Sequence, residues 1–267
     1  MTFNLLELHD PNEDKKSIQL LRVYGILPKY SLVKVGPKAD QAVKVVNFLR
    51  NNNEKLKKEV SPAWKNEWVK SIGYNFAKKS LDDWFIGRAS VPLIALKKLE
   101  EFGLEDEVNK LIQECDYFSS SRYRPFKIPH AMNEDLAYLL GAILGDGHLT
   151  KDCHRINYEL NDRHLVEKFS IKVEKLFEHH SRIKTRLDKG EIRYYLRFAN
   201  KNVIRLFNKF LQIPRGKKSD IIVIPREIQQ SNLRIKKAFL EGVFDTDGGK
   251  RSHGLGLTSA SIEFRDH

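Results

Sequence analysis

The chain has 267 residues, 41% of them hydrophobic, and its 47 Lys and Arg outnumber 35 Asp and Glu to give a net charge of +12. That length provides for one large domain or two ordinary ones with a true core. No apolar window approaches a membrane span, the charged start at Glu7, Asp10 and Glu13 predicts no secretory segment, and two cysteines, Cys115 and Cys153, are too few for a disulfide framework. Free thiols and a cytoplasmic protein without a membrane partner are expected.

Residues 1–125 read mostly as helix. Val43, Val46, Leu49 and Leu56 recur near helical spacing across Asp40–Lys57. Ser61-Pro62 punctuates, and two helices follow, Trp64–Ile72 and Phe76–Phe85, separated by a turn at Gly73. Gly87-Arg88 breaks the pattern again. Ser90-Val91-Pro92 predicts a further helix start, with Leu93, Leu96, Leu99 and Phe102 on one side and Gly103 as its stop. Glu105–Cys115 is a short last helix. Ser119–Pro125 is polar and aperiodic, and reads as a linker.

From Asn133 the pattern changes to helix, strand, strand, helix, strand, strand, helix. Asn133 caps a helix with Glu134 and Asp135 in its first turn. Strands are expected at His148–Lys151 and Arg155–Asn161, then a helix capped by Asp162. Strands Arg182–Leu187 and Ile192–Phe198 flank a turn at Asp188-Lys189-Gly190-Glu191. A helix over Asn200–Leu211 closes the unit. Alternation places Arg182, Lys184 and Arg186 on one face of the third strand, and Arg193, Tyr195 and Arg197 on one face of the fourth. Residues 182–218 hold twelve Lys or Arg against two acids, so this segment carries most of the net charge. An aliphatic sheet face packed on helices and a basic, aromatic face left free point to double-stranded DNA as partner.

Two stretches end alike, Leu139-Leu140-Gly141-Ala142-Ile143-Leu144-Gly145-Asp146-Gly147 and Leu240-Glu241-Gly242-Val243-Phe244-Asp245-Thr246-Asp247-Gly248. Gly141 and Gly145, like Gly242 and Thr246, lie four apart on one helix face and allow close helix approach. Asp146 and Asp247 then meet at the helix bottoms, each followed by a glycine expected to leave in a left-handed turn. Two carboxylates brought together would repel, and Mg²⁺ or Mn²⁺ would neutralise them. His148 reads as a turn residue or DNA contact.

These paired motifs resemble those of the LAGLIDADG (DOD-type) homing endonucleases, as do the element order over 133–267 and Gly216-Lys217-Lys218-Ser219 followed by Ile224-Pro225. The resemblance implies a Mg²⁺-dependent, site-specific DNA endonuclease in which Asp146 and Asp247 are catalytic metal ligands, with Gly145 and Thr246 beside them in the metal site. It implies that Lys218, or Lys217, polarises the attacking water, and that a chain with two motifs acts as a monomer. The segment Ile72–Leu93 resembles repressor-type helix-turn-helix domains, which would make Lys78, Lys79 and Arg88 DNA contacts. The expected architecture is α+β. A helical DNA-binding domain spans 1–118, a linker 119–132, a first αββαββα unit 133–231, and the start of a second, incomplete unit 232–267. The alternative from another class is a DNA- or RNA-binding relative that does not cleave, such as a decayed enzyme, a regulator or an intron maturase.

Overall fold

The computed structural model describes residues 2–16, 20–76, 78–120, 125–152, 154–218, 221–251, 254–257, 261 and 264. The chain is mixed α and β and divides into two compact units, residues 4–130 and residues 1–3 with 131–267.

The 4–130 unit carries helices α1 (Pro37–Glu59), α2 (Trp64–Ile72), α3 (Lys78–Phe85), α4 (Leu93–Lys97) and α5 (Glu105–Gln113). Its core is aromatic. Trp64 and Trp68 stack at 5.5 Å, Trp84 meets Trp68 edge-on at 5.8 Å, and all three are buried. The Trp68 indole N–H donates to the Ala95 carbonyl at 2.7 Å, which satisfies that ring's polar atom.

This unit also holds a small antiparallel sheet that the helical reading of 1–125 does not foresee. Its strands are β1 (Arg22–Val23), β2 (Val91–Pro92), β3 (Tyr117–Ser119) and β4 (Phe126–Lys127), in the order β2-β1-β3-β4. Strands of two or three residues are too short for period-two alternation to show. Pro92 therefore lies in a strand and α4 starts after it. It tolerates the strand because β2 is the sheet edge, where a missing N–H breaks no inner ladder. Gln41, buried in α1, stitches the sheet to the helix by accepting from the Tyr117 amide at 2.8 Å and donating to the carbonyls of Tyr117 and Tyr24. The segment read as a linker, 119–132, instead contains β4. Residues 121–124 lie outside the described residues, and the compact division falls after His130.

The second unit contains α6 (Glu134–Leu144), β5 (His148–Leu149), β6 (Ile156–Leu160), α7 (Arg163–Phe177), β7 (Lys184–Asp188), β8 (Glu191–Phe198) and α8 (Lys201–Arg205). After these come α9 (Arg226–Gln229), α10 (Leu233–Asp247) and the hairpin β9 (Gly248–Arg251) with β10 (Gly254–Leu257). Asn133, Asp162 and Asn200 each cap a helix through a side-chain oxygen, as their positions predict. The helix expected to reach Leu211 changes at Leu206 into a wider π turn that ends at Phe210.

The main sheet is antiparallel in the order β5-β6-β8-β7. Lys189 (φ 50°) and Gly190 (φ 88°) turn β7 into β8, the two left-handed positions a tight hairpin requires. Ile156, Tyr158, Leu160, Leu196 and Phe198 form the buried face. Tyr158 stacks on Phe169 of α7 at 4.1 Å, and Phe198 on Phe177 at 5.6 Å.

Candidate functional site

Helices α6 and α10 form the central pair of the second unit. At their crossing, an ideal Cβ on Gly141 would lie 2.1 Å from the Phe239 carbonyl oxygen, and one on Gly242 would lie 2.1 Å from that of Tyr138. The contact is reciprocal, because Tyr138 precedes Gly141 by the same step that Phe239 precedes Gly242. The two motifs are thus related by a local two-fold, and only glycine fits at either crossing point. Lower down the symmetry relaxes. A Cβ on Gly145 would meet the Thr246 hydroxyl at 1.9 Å and Asp247 Oδ2 at 3.3 Å.

The two ends differ in one respect. Helix α6 stops at Leu144, so Asp146 lies beyond the helix, whereas Asp247 is the last residue of α10. Neither following glycine is left-handed. Gly248 is extended (φ −76°), and Gly147 is absent from the positive-φ glycines. Both are glycines for want of space. A Cβ on Gly147 would lie 2.7 Å from the Ile143 Cα, and one on Gly248 2.4 Å from the Phe244 oxygen.

Asp146, Asp247 and Lys218 share this end of the helix pair. Burial raises the Asp247 carboxyl above its ordinary value, Asp146 raises it further, and Lys218 opposes both. Burial likewise raises Asp146, against Lys218 and Arg193. Burial lowers the Lys218 ammonium, against both aspartates. Two carboxylates raised in this way form an anionic centre short of charge compensation, the condition a divalent cation relieves. The donor set fits Mg²⁺, which takes one or two carboxylates and fills its octahedron with water and phosphate oxygen. Among the described residues no cluster of three His, Cys, Asp or Glu forms a closed metal cage.

Of the other expected metal-site residues, the Gly145 carbonyl accepts a hydrogen bond from Lys218 Nζ, as does that of Leu144. Thr246 Oγ1 donates back to the Val243 carbonyl at 2.9 Å. Both atoms are therefore engaged in building the site. Lys218 gets there because Gly216 (φ 76°) turns the loop beside β5, where the Gly216 amide donates to the Leu149 carbonyl at 2.7 Å. Lys217 is exposed and Ser219 lies outside the described residues.

The basic face forms as alternation predicts. Cross-strand partners Lys184 with Tyr195 and Arg186 with Arg193 share it, as do Asn157 with Arg197 and His148 with Asn157. Arg182 lies just before β7 and outside the ladder. Arg186 is held by Glu159 at 2.8 Å, and Arg197 lies over the Tyr195 ring at 5.0 Å. In the first unit Lys79 is exposed, the Lys78 side chain lies outside the described residues, and Arg88 is held at 3.1 Å by Asp83 and lies over Tyr30.

One network has no counterpart in the sequence reading. The Tyr138 hydroxyl donates to Asp245 Oδ2 at 2.7 Å, and Lys168 bridges the same oxygen at 2.7 Å to Glu241 at 2.6 Å. Lys168 also sits 4.6 Å over the Tyr138 ring. It ties α6, α7 and α10 together two residues from Asp247. Its one trace in the sequence is a tyrosine within an otherwise apolar helix.

No known protein-family profile matches the chain. Over 175 residues it is 34% identical to the replication factor C small subunit of Methanocaldococcus jannaschii, a match covering 66% of this chain and 9% of that protein. Over 127 residues it is 28% identical to the A subunit of the A-type ATP synthase of Pyrococcus abyssi, covering 48% of this chain and 12% of that protein. The chain thus spans about a tenth of the length of these curated relatives. Neither is named as a homing endonuclease. Their names overturn the LAGLIDADG assignment with its appended helix-turn-helix domain, the endonuclease function drawn from it, and the alternative of a non-cleaving relative such as a decayed enzyme, regulator or maturase. No helix among the described residues is long and apolar enough to cross a membrane.

Proposed function

We propose that the chain is a Mg²⁺- or Mn²⁺-dependent module that acts on phosphate groups while held along double-stranded DNA. The observation that carries this reading is the meeting of Asp146, Asp247 and Lys218 at one end of the α6–α10 pair, with Arg193 of the basic face close enough to act on the Asp146 carboxyl. The relatives' names lend a setting, since one is a replication factor and the other belongs to an ATP synthase.

Asp146 and Asp247, set at the end of the helix pair that the glycine crossing fixes, would hold the cation. When bound, the ion neutralises phosphate charge and makes a coordinated water more acidic. Lys218, tethered to the Leu144 and Gly145 carbonyls, stands beside both carboxylates, its ammonium lowered by burial and supported by their charge. Lys184, Arg193 and Arg197 hold the polyanion through its phosphates, which fixes register before any base is read.

Mn²⁺ titration followed by electron paramagnetic resonance, with and without duplex DNA, tests the reading. The wild type is expected to hold Mn²⁺ more tightly with duplex present. Asp146→Asn and Asp247→Asn should each weaken Mn²⁺ at least tenfold while leaving duplex binding within about twofold. A wild type that holds no Mn²⁺ in either condition overturns the proposal.

A further inference from the structure

The 4–130 unit contains a cavity of about 860 Å³ lined by His9, Asp14, Lys15, Lys16, Tyr74 and Lys98, with Ile72 and Ile94 as apolar walls. That volume lies within the range of sites for small organic ligands. Its polar groups form a chain. Asp14 is fully buried, a rare place for a carboxylate, and lies 3.4 Å from His9 Nδ1. The other ring nitrogen of His9 lies 3.2 Å from the Tyr74 hydroxyl, and the two rings meet edge to face at 5.7 Å. The Asp10 amide donates to the same Asp14 oxygen at 3.3 Å, fixing the carboxylate.

Asp14 thus lies behind the His9 ring and Tyr74 in front of it, so the imidazole is held between a buried carboxylate and a hydroxyl. Tyr74 brings that hydroxyl to the cavity wall. Around it stand three lysines. Lys98 is shared with Glu101 at 2.5 Å, and Asp14 lies against His9 and the Asp10 amide. The chemistry is that of an anion held by ammonium groups and a phenol, with a ring edge and two isoleucines for an apolar body.

We propose that this cavity binds a phosphorylated small molecule with a planar ring, of nucleotide size, through Lys15, Lys16 and the Asp14–His9–Tyr74 chain. The site belongs to the first unit and does not depend on the carboxylate pair of the second.

Isothermal titration of the full chain with adenosine monophosphate, adenosine triphosphate and inorganic phosphate tests it, in buffer with chelator so that the cation site stays silent. Saturable nucleotide binding is expected at one site per chain, at least tenfold tighter than inorganic phosphate. The double variant Lys15→Ala/Lys16→Ala, both at exposed positions, should weaken it at least tenfold with an unchanged melting temperature. Tyr74→Phe should weaken it severalfold. No nucleotide binding at millimolar concentration overturns the proposal. So does nucleotide binding no tighter than inorganic phosphate, or binding that the double variant leaves unchanged.

Discussion

At the scale of single residues, the carboxylate pair sets function against stability. Burial and mutual repulsion raise Asp247, and burial raises Asp146, so each binds a proton more readily folded than unfolded. For such groups stability falls as pH rises from the unfolded value, near 3.9 for Asp, through the raised folded value, and the penalty persists at neutral pH. Asp247→Asn removes the penalty with little change in shape. Its melting temperature should therefore rise, by roughly 2–4 °C per kcal/mol relieved, while Mn²⁺ affinity falls. A variant that loses both stability and metal would show Asp247 to be a packing residue. Cys115 illustrates the opposite case, a group placed out of reach. It is fully buried, and desolvation pushes its thiol up to about 12, so little thiolate exists at pH 7. Alkylation of Cys115 by iodoacetamide, followed by peptide mass spectrometry, should be at least a hundredfold slower in native protein than in urea. Equal rates would mean the first unit opens readily.

At the scale of elements, the α6–α10 crossing makes the site, and its glycines bear the constraint. Gly141→Ala would put a methyl 2.1 Å from a backbone oxygen. No flexible side chain can yield there, so the helices must part. Overpacking of this kind costs about 1–3 kcal/mol, and it moves the aspartates apart as well. Gly103→Ala is the control, because a Cβ there meets nothing within 4 Å although the backbone is left-handed (φ 77°). Both variants should lose stability in urea titration, but only Gly141→Ala should also weaken Mn²⁺. Equal metal binding by the two would detach the crossing from the site.

This crossing is legible in the sequence because small residues recur at a helical step in two matched stretches. The later glycines mislead because the sequence does not distinguish a glycine needed for φ from one needed for space, as Gly147 and Gly248 are. Alternation exposes β6, β7 and β8, whose runs are five to eight residues, but not β1 to β4, which are two or three. Lys218 lies far along the chain from Asp146. Its tether to the Leu144 and Gly145 carbonyls is a tertiary contact that no local pattern announces. The basic strands make a further prediction. Neutralising Arg193 and Arg197 together should flatten the slope of log K against log salt for duplex binding by about two units. An unchanged slope would place the DNA elsewhere.

At the scale of the whole molecule, the two units have separate cores and offer separate signals. The chain's three tryptophans, Trp64, Trp68 and Trp84, all lie in the 4–130 unit. Asp135, by contrast, anchors α6 in the other unit, held by Lys172 at 2.8 Å and Lys175 at 2.5 Å. Burial alone would raise the Asp135 carboxyl, but the two lysines outweigh it and hold it below its ordinary value. Its contribution is therefore present above the unfolded pKa, near 3.9, and lost as pH falls through the lowered folded value. Asp135→Asn should cost about 1 kcal/mol at pH 7 and progressively less as pH falls below the unfolded value. Two probes then locate the loss. Calorimetry should show one transition lowered, while the melt followed by tryptophan fluorescence stays in place. Saturating Mn²⁺ should raise that same calorimetric transition, since a ligand stabilises only the unit that binds it, and should again leave the tryptophan signal unmoved. A tryptophan melt that follows Asp135→Asn or Mn²⁺ would mean that the cation site and the aromatic core unfold as one body.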